Sequence, residues 1–328
     1  MPISSHTSLK RLLAPTDKLE VRCPACKAKA VKVGTRKTKQ GSTQKYQCVR
    51  CKKFFSLSPM PRRHYPPSII LNAITEYNLG KTILEVKACL LQRFKKDVPQ
   101  STIHAWLTQF KDVCTFLRYR KKYSISEKET IITHVFAHRQ EYKFAFHRLK
   151  TNILCKINFP GMRRYLWDIR EHCPRSLFIN ADNSRCSEVT LHNIKFSIMH
   201  ELENQAVLLA RLGMVLAKKA TERHQVIQRF MLANDTATIA VEVPVYLYPN
   251  EALDLGLTSP LTGHIDLLQV RCGCLYILDY KPDAKHETKA KYQIYLYARA
   301  LSVRTGISMD KIRLGYFDDK DYYTVKSG

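Results

Sequence analysis

Apolar residues repeat with helical spacing in the first half of the chain. Between residues 68 and 123, Ile70, Ala73, Ile74 and Tyr77 occupy positions i, i+3, i+4 and i+7, which is one face of a helix. Gly80 and the segment 97–99 interrupt this pattern, since glycine and proline end helices. The pattern therefore predicts three helices, over 68–80, 82–94 and 101–117.

The second half of the chain alternates between helical and strand-like patterns. Residues 193–220 predict one long amphipathic helix through Ile198, Leu202, Leu209 and Leu216. Segments rich in β-branched and aromatic residues predict strands over 239–248, 263–270, 274–280 and 311–317, the last of these being the final strand. Helices are expected over 161–172 and 286–303, whereas the rest of 124–190 carries no motif.

The charge of the chain is concentrated at its front. The 328 residues include 54 Lys and Arg against 28 Asp and Glu, a formal net charge of +26. Residues 1–122 hold 26 of these basic residues and only 6 acidic ones, a net of +20, while residues 123–328 hold 28 and 22. A surplus of this size indicates a polyanionic partner such as DNA for the front end.

Composition excludes several classes of protein. A hydrophobic fraction of 45% and a charged fraction of 25% are typical of globular proteins and exclude a wholly disordered chain. No run reaches the ~20 apolar residues of a membrane span, and the N-terminal residues lack the apolar block of a secretory signal. We expect a cytoplasmic, nucleoid-associated protein without a membrane partner. The sequence does not decide whether the protein forms a homo-oligomer.

Four of the 11 cysteines form two C-x-x-C pairs, separated by 21 residues. Two residues between thiolates let one tight turn direct both sulfurs at a common ion, and two such turns close a tetrahedral Zn²⁺ site with no open position. A redox pair of the thioredoxin type, or chance, is the alternative. A matched pair of motifs favours structural zinc, with the ligands Cys23, Cys26, Cys48 and Cys51.

The residues around the second cysteine pair, Tyr46-Gln-Cys48-Val-Arg-Cys51-Lys-Lys-Phe54-Phe55, resemble the second knuckle of the zinc ribbons in insertion-sequence transposases. Basic residues fill the space between the two pairs and suit contacts with phosphates, which provide affinity but little sequence information. The candidate DNA contacts in this segment are Lys37, Lys39 and Lys45.

Residues 69–86 and 98–107 resemble a transposase-type helix-turn-helix. Ser101 is predicted to cap a recognition helix, because serine side chains accept hydrogen bonds at helix N-termini. The inner face of this helix would be Ile103, Trp106, Leu107 and Phe110. The start of the helix would offer Gln100, Ser101, Thr102, His104 and Ala105 to the major groove. A plain three-helix bundle is the alternative.

Carboxylates and a lysine occur in an order that suits phosphodiester hydrolysis, which needs acids to hold a divalent metal and a basic group near the attacking water. Asp279 and Lys281 are two residues apart, so a strand would direct both to one face. A hairpin through residues 272–274 would bring Asp266 beside Asp279. Gln293 and Tyr297, four residues apart, would share one face of a helix.

This set of residues resembles the PD-(D/E)XK nuclease core, and most closely its RecB-like and CRISPR-associated exonuclease branch. The resemblance implies Mg²⁺ or Mn²⁺ held by Asp266, Asp279, the Tyr280 carbonyl and His200 on the preceding helix. Glu203 is an alternative ligand, and Glu242 a supporting acid rather than a catalytic one. Lys281 would position or activate the water, and Gln293 would steady Lys281 or the phosphate. Iron–sulfur relatives hold their cluster with cysteines near the C-terminus, but this chain has no cysteine after Cys274, so we expect no such cluster.

Together these observations predict a multidomain protein made of a small β zinc ribbon, an all-α helix-turn-helix and an α/β restriction-endonuclease-like core with a mixed sheet flanked by helices. The predicted function is metal-dependent DNA cleavage in a mobile-element, defence or repair context. A DNA-binding regulator with a non-catalytic nuclease fold is the main rival, and a true transposase is disfavoured. The predicted segments are 1–20 (basic lead-in), 21–57 (zinc ribbon), 58–67 (proline-rich linker), 68–123 (helix-turn-helix), 124–190 (unassigned) and 191–328 (nuclease domain).

Overall fold

The computed structural model describes residues 23, 25–38, 41–56, 64–120, 122–123, 130–138, 140–202 and 204–328. They form a mixed α/β protein with one large mixed sheet flanked by helices, and a small separate sheet near the N-terminus. This confirms the predicted α/β class with a mixed sheet. Among the described residues, no helix is both long enough and apolar enough to cross a bilayer.

The small sheet is antiparallel, with the order β1-β2-β3. Tyr46 and Phe55, on neighbouring strands, stack with ring centroids 5.8 Å apart and give this small unit an aromatic contact. Its strands are β1 (Ala30–Thr38), β2 (Gly41–Cys48) and β3 (Phe54–Ser56).

Within the part of the chain that the structure describes, four helices lie between the small sheet and residue 123. The first begins directly after Pro66, with a proline in its first turn, where a missing N–H is tolerated. The second begins with a capping box, in which the Glu85 N–H donates to Thr82 Oγ1 and the Thr82 N–H donates to Glu85 Oε2. The helices are α1 (Pro67–Asn78), α2 (Ile83–Phe94), α3 (Gln100–Phe110) and α4 (Phe116–Arg120).

The third helix differs in detail from its prediction. Ser101 is not its N-cap: the helix starts at Gln100, Pro99 occupies the cap position, and no side chain caps it. Pro99, whose ring fixes φ, takes the cap position, so the helix begins two residues earlier than a cap at Ser101 would place it. The helix also ends at Phe110 rather than at residue 117, and a separate short helix, α4, follows.

The large sheet has the strand order β4-β5-β8-β9-β10-β11-β12-β7, with β6 beside β9. Its described pairs are antiparallel except for β10 with β11 and β6 with β9. The strands are β4 (Ile131–His138), β5 (Gln140–His147), β6 (Ser184–Arg185), β7 (Phe196–Glu201), β8 (Thr238–Leu247), β9 (Leu261–Arg271), β10 (Cys274–Tyr280), β11 (Ile312–Phe317) and β12 (Tyr322–Ser327).

Helices pack on this sheet in two hydrophobic clusters. The helices after α4 are α5 (Arg148–Cys155), α6 (Pro160–His172), α7 (Arg175–Ile179), α8 (Gln205–Met214), α9 (Arg223–Asn234) and α10 (Ala290–Thr305). One cluster joins α5, α6 and α10 to the strands, and the other joins α1–α4, α8 and α9 to them. Short 3-10 turns lie at Ala220–Glu222, Pro249–Glu251, Leu253–Leu255, Ala284–His286 and Met309–Lys311.

Residues 124–190, which carried no sequence motif, contribute to the large sheet. Strands β4 and β5 form one end of it and β6 pairs with β9, while α5 and α6 belong to one of its packed layers. The predicted strands over 239–248, 263–270 and 274–280 are confirmed as β8, β9 and β10. The strand over 311–317 is confirmed as β11, but it is not the final one, because β12 follows.

The single long helix predicted over 193–220 is wrong. Residues 196–201 form strand β7, which pairs with β12, and a new helix, α8, starts at Gln205. Asn204 marks this start, because its side chain accepts a hydrogen bond from the Ala206 N–H at 2.9 Å. Of the apolar residues that fitted a helical period in this segment, Ile198 lies in the edge strand β7 and Leu209 lies in the separate helix α8.

The helices α1–α4 share their hydrophobic core with the large sheet. Ile70, Ile74 and Trp106 belong to the same buried cluster as Phe230 of α9 and Tyr280 of β10. Polar contacts cross the same boundary. The buried Asn78 side chain donates to Asn234 Oδ1 at 2.9 Å, and Asn234 Nδ2 donates to Thr75 Oγ1 at 2.9 Å. These helices are therefore packed into the body of the protein.

Candidate metal and active site

A cavity of about 960 Å³ lies between helices α1 and α9 and strands β4, β5, β8, β9 and β10. It contains the five residues that the sequence predicted to be catalytic. The polar and charged residues that line its inner part are His224, Gln228, Glu242, His264, Asp266, Asp279, Lys281, Gln293 and Tyr297.

The hairpin of β9 and β10 brings the two predicted aspartates together. Cys272 and Gly273 form its turn with φ of 47° and 70°, since a tight hairpin turn takes residues with positive φ. Leu267 pairs with Leu278 in the antiparallel ladder. The next residues along the two strands, Asp266 on β9 and Asp279 on β10, therefore lie opposite each other. The Tyr280 N–H donates to Asp266 Oδ2 at 2.9 Å, and both carboxylates are buried.

Lys281 connects the aspartates to helix α10. Its Nζ lies 2.8 Å from Asp279 Oδ2 and donates to Gln293 Oε1 at 3.0 Å. Gln293 Nε2 in turn donates to the Tyr297 hydroxyl at 2.7 Å. Because Gln293 and Tyr297 are one helical turn apart, α10 holds the lysine through a continuous chain of hydrogen bonds. The structure thus brings Asp266, Asp279, Lys281, Gln293 and Tyr297 into one site.

Tyr280, the last residue of β10, lies between the predicted catalytic residues Asp279 and Lys281. Its ring packs against Phe317, with centroids 5.7 Å apart, and near His224, with centroids 5.8 Å apart. The side chain is therefore part of the hydrophobic layer, as the alternation of a strand predicts.

Gly263 allows Tyr297 to approach the sheet. A Cβ at this position would lie 2.3 Å from Tyr297 Cε1, a distance that two carbon atoms do not adopt. We expect Gly263→Ala to displace the Tyr297 ring and to lower the free energy of unfolding by about 1–3 kcal/mol, as overpacked cores do. Urea unfolding of the purified variant measures this change. In a Tyr297→Leu background the same substitution should destabilise less, and equal losses in both backgrounds would contradict the contact.

Two further residues complete the site, and the sequence assigned neither of them to catalysis. His224, in the first turn of α9, has its Nε2 2.9 Å from Asp266 Oδ2 and 3.9 Å from Glu242 Oε1. One ligand atom from each of His224, Glu242 and Asp266 lies within 4.8 Å of the others, so these three residues could hold a metal ion. Gln228 supports the group, because its Nε2 donates to Glu242 Oε1 at 2.7 Å.

The backbone of Glu242 is strained. Its φ of 51° lies in the left-handed region, although it belongs to strand β8. Such a conformation costs on the order of 1–3 kcal/mol and is concentrated at functional sites. In this protein the strained residue is Glu242 itself, which is only 8% exposed and whose carboxylate faces that of Asp266.

Burial and mutual repulsion shift the pKa values of the acids. Burial and the negative charge of Asp266 raise the pKa of Glu242 to about 7 and that of Asp279 to about 8. For Asp266, burial opposes ionisation, but the His224 and Lys281 cations hold its pKa below the usual range. Burial also acts against the charge of His224, yet Asp266, Glu242 and Asp279 together raise its pKa to about 9. Burial and mutual repulsion thus oppose ionisation of Glu242 and Asp279, and a cation bound in the cavity would favour their ionised forms.

His200 does not belong to this site, contrary to the sequence prediction. It lies on the edge strand β7, is exposed, and its Nε2 is 2.9 Å from Asp321 Oδ1. Strand β7 is three strands away from β10, which corresponds to about 14 Å at the usual strand spacing. The histidine on a helix near Asp266 is His224, which follows the wrongly predicted long helix by four residues. The alternative ligand Glu203 lies outside the described residues.

The four predicted zinc ligands come together in the small N-terminal unit. The four sulfur atoms all lie within 4.8 Å of one another. The Cys23 and Cys51 sulfurs are 3.5 Å apart, and the Cys26 and Cys48 sulfurs are 3.4 Å apart. Tetrahedral Zn–S bonds of ~2.3 Å place sulfurs about 3.8 Å apart, whereas a disulfide needs ~2.05 Å. The cluster could therefore bind a metal such as zinc.

The two knuckles of this cluster share one backbone design. Lys27 and Lys52, each directly after the second cysteine of a pair, have positive φ of 61° and 56°. Their N–H groups donate to the carbonyls of Cys23 and Cys48, at 2.9 and 3.1 Å. This turn directs both sulfurs of a pair to one side, which is the geometry that the C-x-x-C spacing predicts.

The candidate DNA contacts lie partly in the small N-terminal sheet and partly on helix α3. Lys45 is half-buried, with its Nζ 4.0 Å from the centroid of the Phe54 ring. Lys37 lies in β1, and Lys39 lies outside the described residues. On α3, the predicted inner face is confirmed, because Ile103, Trp106, Leu107 and Phe110 are buried. The predicted outer residues Gln100, Ser101, His104 and Ala105 are exposed, and Thr102 is half-buried.

Comparison of the chain with models of known protein families, with curated proteins and with solved structures finds no match in any of the three.

Proposed function

We propose that this protein is a divalent-metal-dependent deoxyribonuclease of the PD-(D/E)XK type, with the RecB-like branch as its nearest resemblance. The observation that carries this proposal is the convergence of Asp266, Asp279 and Lys281 in one buried cavity with His224 and Glu242 beside them. Acids that hold a metal and a lysine that faces the same space are what hydrolysis of a phosphodiester requires.

The donor set fits Mg²⁺ or Mn²⁺. Carboxylate oxygens suit both ions, and one imidazole among them is compatible with Mn²⁺. His224, Glu242 and Asp266 would hold the ion, with Asp279 next to Asp266 as a further oxygen donor. When bound, the ion would lower the pKa of a water molecule and neutralise charge on the scissile phosphate. Burial, together with repulsion from Asp266, raises the pKa values of Glu242 and Asp279, and a bound cation would offset both effects, which supports this occupant.

Lys281 would stabilise the charge that develops on the phosphate. Burial acts against its ammonium form, but Asp279 and Asp266 outweigh burial and raise its pKa. The lysine therefore remains protonated at neutral pH and donates hydrogen bonds from Nζ, which makes it an electrostatic stabiliser rather than the base. Gln293, which accepts from Nζ, would fix the position of the lysine for this task.

The size of the cavity favours one DNA strand. A volume of about 960 Å³ is at the upper end of the range of ~300–1,000 Å³ for pockets that enclose a drug-sized molecule. This space suits a few nucleotides of a single strand.

The basic front end would supply affinity for DNA. The small sheet with its four cysteines would be a zinc ribbon, and α1–α3 would act as a helix-turn-helix whose α3 exposes Gln100, Ser101 and His104. The net charge of +20 on residues 1–122 supports phosphate contacts in this half.

Digestion of end-labelled DNA tests the proposed function. Linear duplex, nicked duplex and single-stranded substrates are incubated with the zinc-loaded chain and Mg²⁺ or Mn²⁺, with EDTA as the control. We expect metal-dependent shortening of the labelled strand. DNA binding without cleavage under every metal condition would favour the rival, a DNA-binding regulator with an inactive nuclease fold.

The two histidines make a matched pair for this assay. His224→Ala should lower cleavage by at least about 10- to 100-fold, which is the loss typical of removing a group that only supports a metal ligand. His200→Ala, on the distant edge strand, should cleave like the parent. The Mn²⁺ concentration at half-maximal rate should rise for His224→Ala alone. Equal activity of His224→Ala and the parent would contradict the assignment of His224 to the metal site.

A further inference from the structure

Arg185 is a cation on the wall of the cavity that the chemistry described above does not use. It lies on the short strand β6, which pairs with β9 at Leu261 and Thr262, and its half-buried side chain lines the cavity. One guanidinium nitrogen, Nη2, donates to the Tyr142 hydroxyl at 2.5 Å. The buried Nε has no hydrogen-bond acceptor within the part of the chain that the structure describes.

Aromatic packing holds this guanidinium in a defined place. The Tyr142 ring stacks on the His264 ring with centroids 3.9 Å apart and planes at 6°, and Phe178 packs edge-on against His264 at 5.6 Å. His264 is two residues from Asp266 on β9 and is 3% exposed. The stack therefore fixes Arg185 relative to the metal-binding group through rigid rings.

The position of Arg185 suits a second anion in the same cavity. A buried guanidinium nitrogen without an acceptor costs free energy unless a ligand supplies one. Arginine presents a planar fork of donors that matches the oxygens of a phosphate. A nucleic-acid strand whose scissile phosphate lies at Asp266 carries further phosphates on both sides of that position.

We propose that Arg185 binds a backbone phosphate of the DNA strand that neighbours the scissile phosphate, and that it thereby positions the strand at the metal site. This inference rests on the proposed function in one respect, namely that the cavity receives a DNA strand. It assigns Arg185 to binding, with Tyr142 as the residue that positions its guanidinium.

The test measures binding of a short strand separately from its cleavage. The zinc-loaded full chain is titrated with the 5′-phosphorylated thymidine trinucleotide in Ca²⁺, at several NaCl concentrations, and the steady-state cleavage of a thymidine 20-mer is measured in Mn²⁺. Arg185→Ala should weaken trinucleotide binding about 10- to 100-fold, the usual effect of losing a hydrogen bond to a charged group. The slope of log K against log [NaCl] should become shallower by about 0.7, the value for one phosphate contact on a single strand.

Three further variants control for folding and for charge. Arg185→Lys keeps the charge without the fork and should recover part of the binding, and Tyr142→Phe should weaken binding to a smaller extent than Arg185→Ala. Arg164→Ala removes an exposed arginine of α6 and should match the parent. In the cleavage assay, Arg185→Ala should raise KM more than it lowers kcat. If Arg185→Ala does not fold, Tyr142→Phe and Arg185→Lys decide the question.

The outcomes separate this inference from the proposed function. If the parent binds the trinucleotide and the Arg185 variants lose both affinity and salt slope, the inference holds even when no metal supports cleavage. If the parent cleaves DNA but Arg185→Ala has the same trinucleotide affinity, salt slope and KM, the inference fails and the nuclease remains. No measurable trinucleotide binding by the parent also overturns it.

Discussion

Asp279→Asn should abolish metal-dependent DNA cleavage without loss of folding stability. Asp279 is 1% exposed, and asparagine has nearly the same shape. Removal of a single preorganised electrostatic group commonly lowers kcat by ~10²–10³, and a buried carboxylate that both adjoins the metal group and pairs with Lys281 should reach at least the upper value.

The stability of the metal-free variant should rise above that of the parent at high pH. Burial and Asp266 raise the pKa of Asp279 from 3.8 to about 8, so the folded parent binds more protons than the unfolded chain between these values. Stability of the parent therefore falls as pH increases through this window, and asparagine removes the effect. The advantage of Asp279→Asn should be absent below pH 4 and largest above pH 8.

Thermal unfolding with and without Mn²⁺ measures both consequences. Added Mn²⁺ should raise the Tm of the parent, since a ligand that binds only the folded state stabilises it, and should raise that of Asp279→Asn less. Asp283→Asn is the matched control, because Asp283 is an exposed acid with a φ of 64°, a conformation that asparagine tolerates. Full cleavage by Asp279→Asn would remove this aspartate from the catalytic group.

Cys48→Ser should release the metal and unfold the small N-terminal sheet. Its sulfur lies 3.4 Å from that of Cys26, and the Cys51 N–H donates to it at 3.3 Å. Binding of structural zinc provides ~10–16 kcal/mol in small zinc domains, far more than three short strands can supply through packing. We expect the zinc content to fall from about one ion per chain to none, and affinity for duplex DNA to fall with it.

Zinc analysis and hydrogen exchange distinguish this loss from general unfolding. Amide protection should disappear in residues 41–56 while strands β8–β10 keep theirs, because the two sheets are separate. Cys89→Ser changes a half-buried cysteine of α2 outside the cluster and should retain zinc and DNA affinity. A Cys48→Ser protein with a full complement of zinc would contradict the four-cysteine site.

The features that the sequence predicted depend on contacts between near neighbours. Asp266 and Asp279 lie on strands β9 and β10, which a two-residue turn connects, so the hairpin register brings them together. The buried face of α3 likewise follows from helical spacing within 11 residues. Gln293 and Tyr297 are one turn apart, and their link to Lys281 crosses only 12 positions.

His224 and the edge of the sheet were not predicted, and Glu242 was predicted only as a supporting acid, because their places depend on packing between distant segments. His224 meets Asp266 only because α9 lies across the strands, which no local period encodes. Glu242 sits in an ordinary β-branched run whose positive φ cannot be recognised from its neighbours. Residues 196–201 fit a helical period, but pairing with β12 makes them a strand, which is tertiary structure overriding local preference.

The pairing of β7 with β12 also sets an order of events during synthesis. His200 and Asp321 are 121 residues apart, so at ~5–20 residues per second the ribosome makes β7 about 6–24 s before the strand that it pairs with. During that interval β7 lacks its partner strand and presents a row of backbone donors and acceptors next to Ile198 and Met199, whose side chains stay exposed in the complete fold. The nascent chain therefore passes through a stage in which a chaperone, or another nascent chain, competes for this edge.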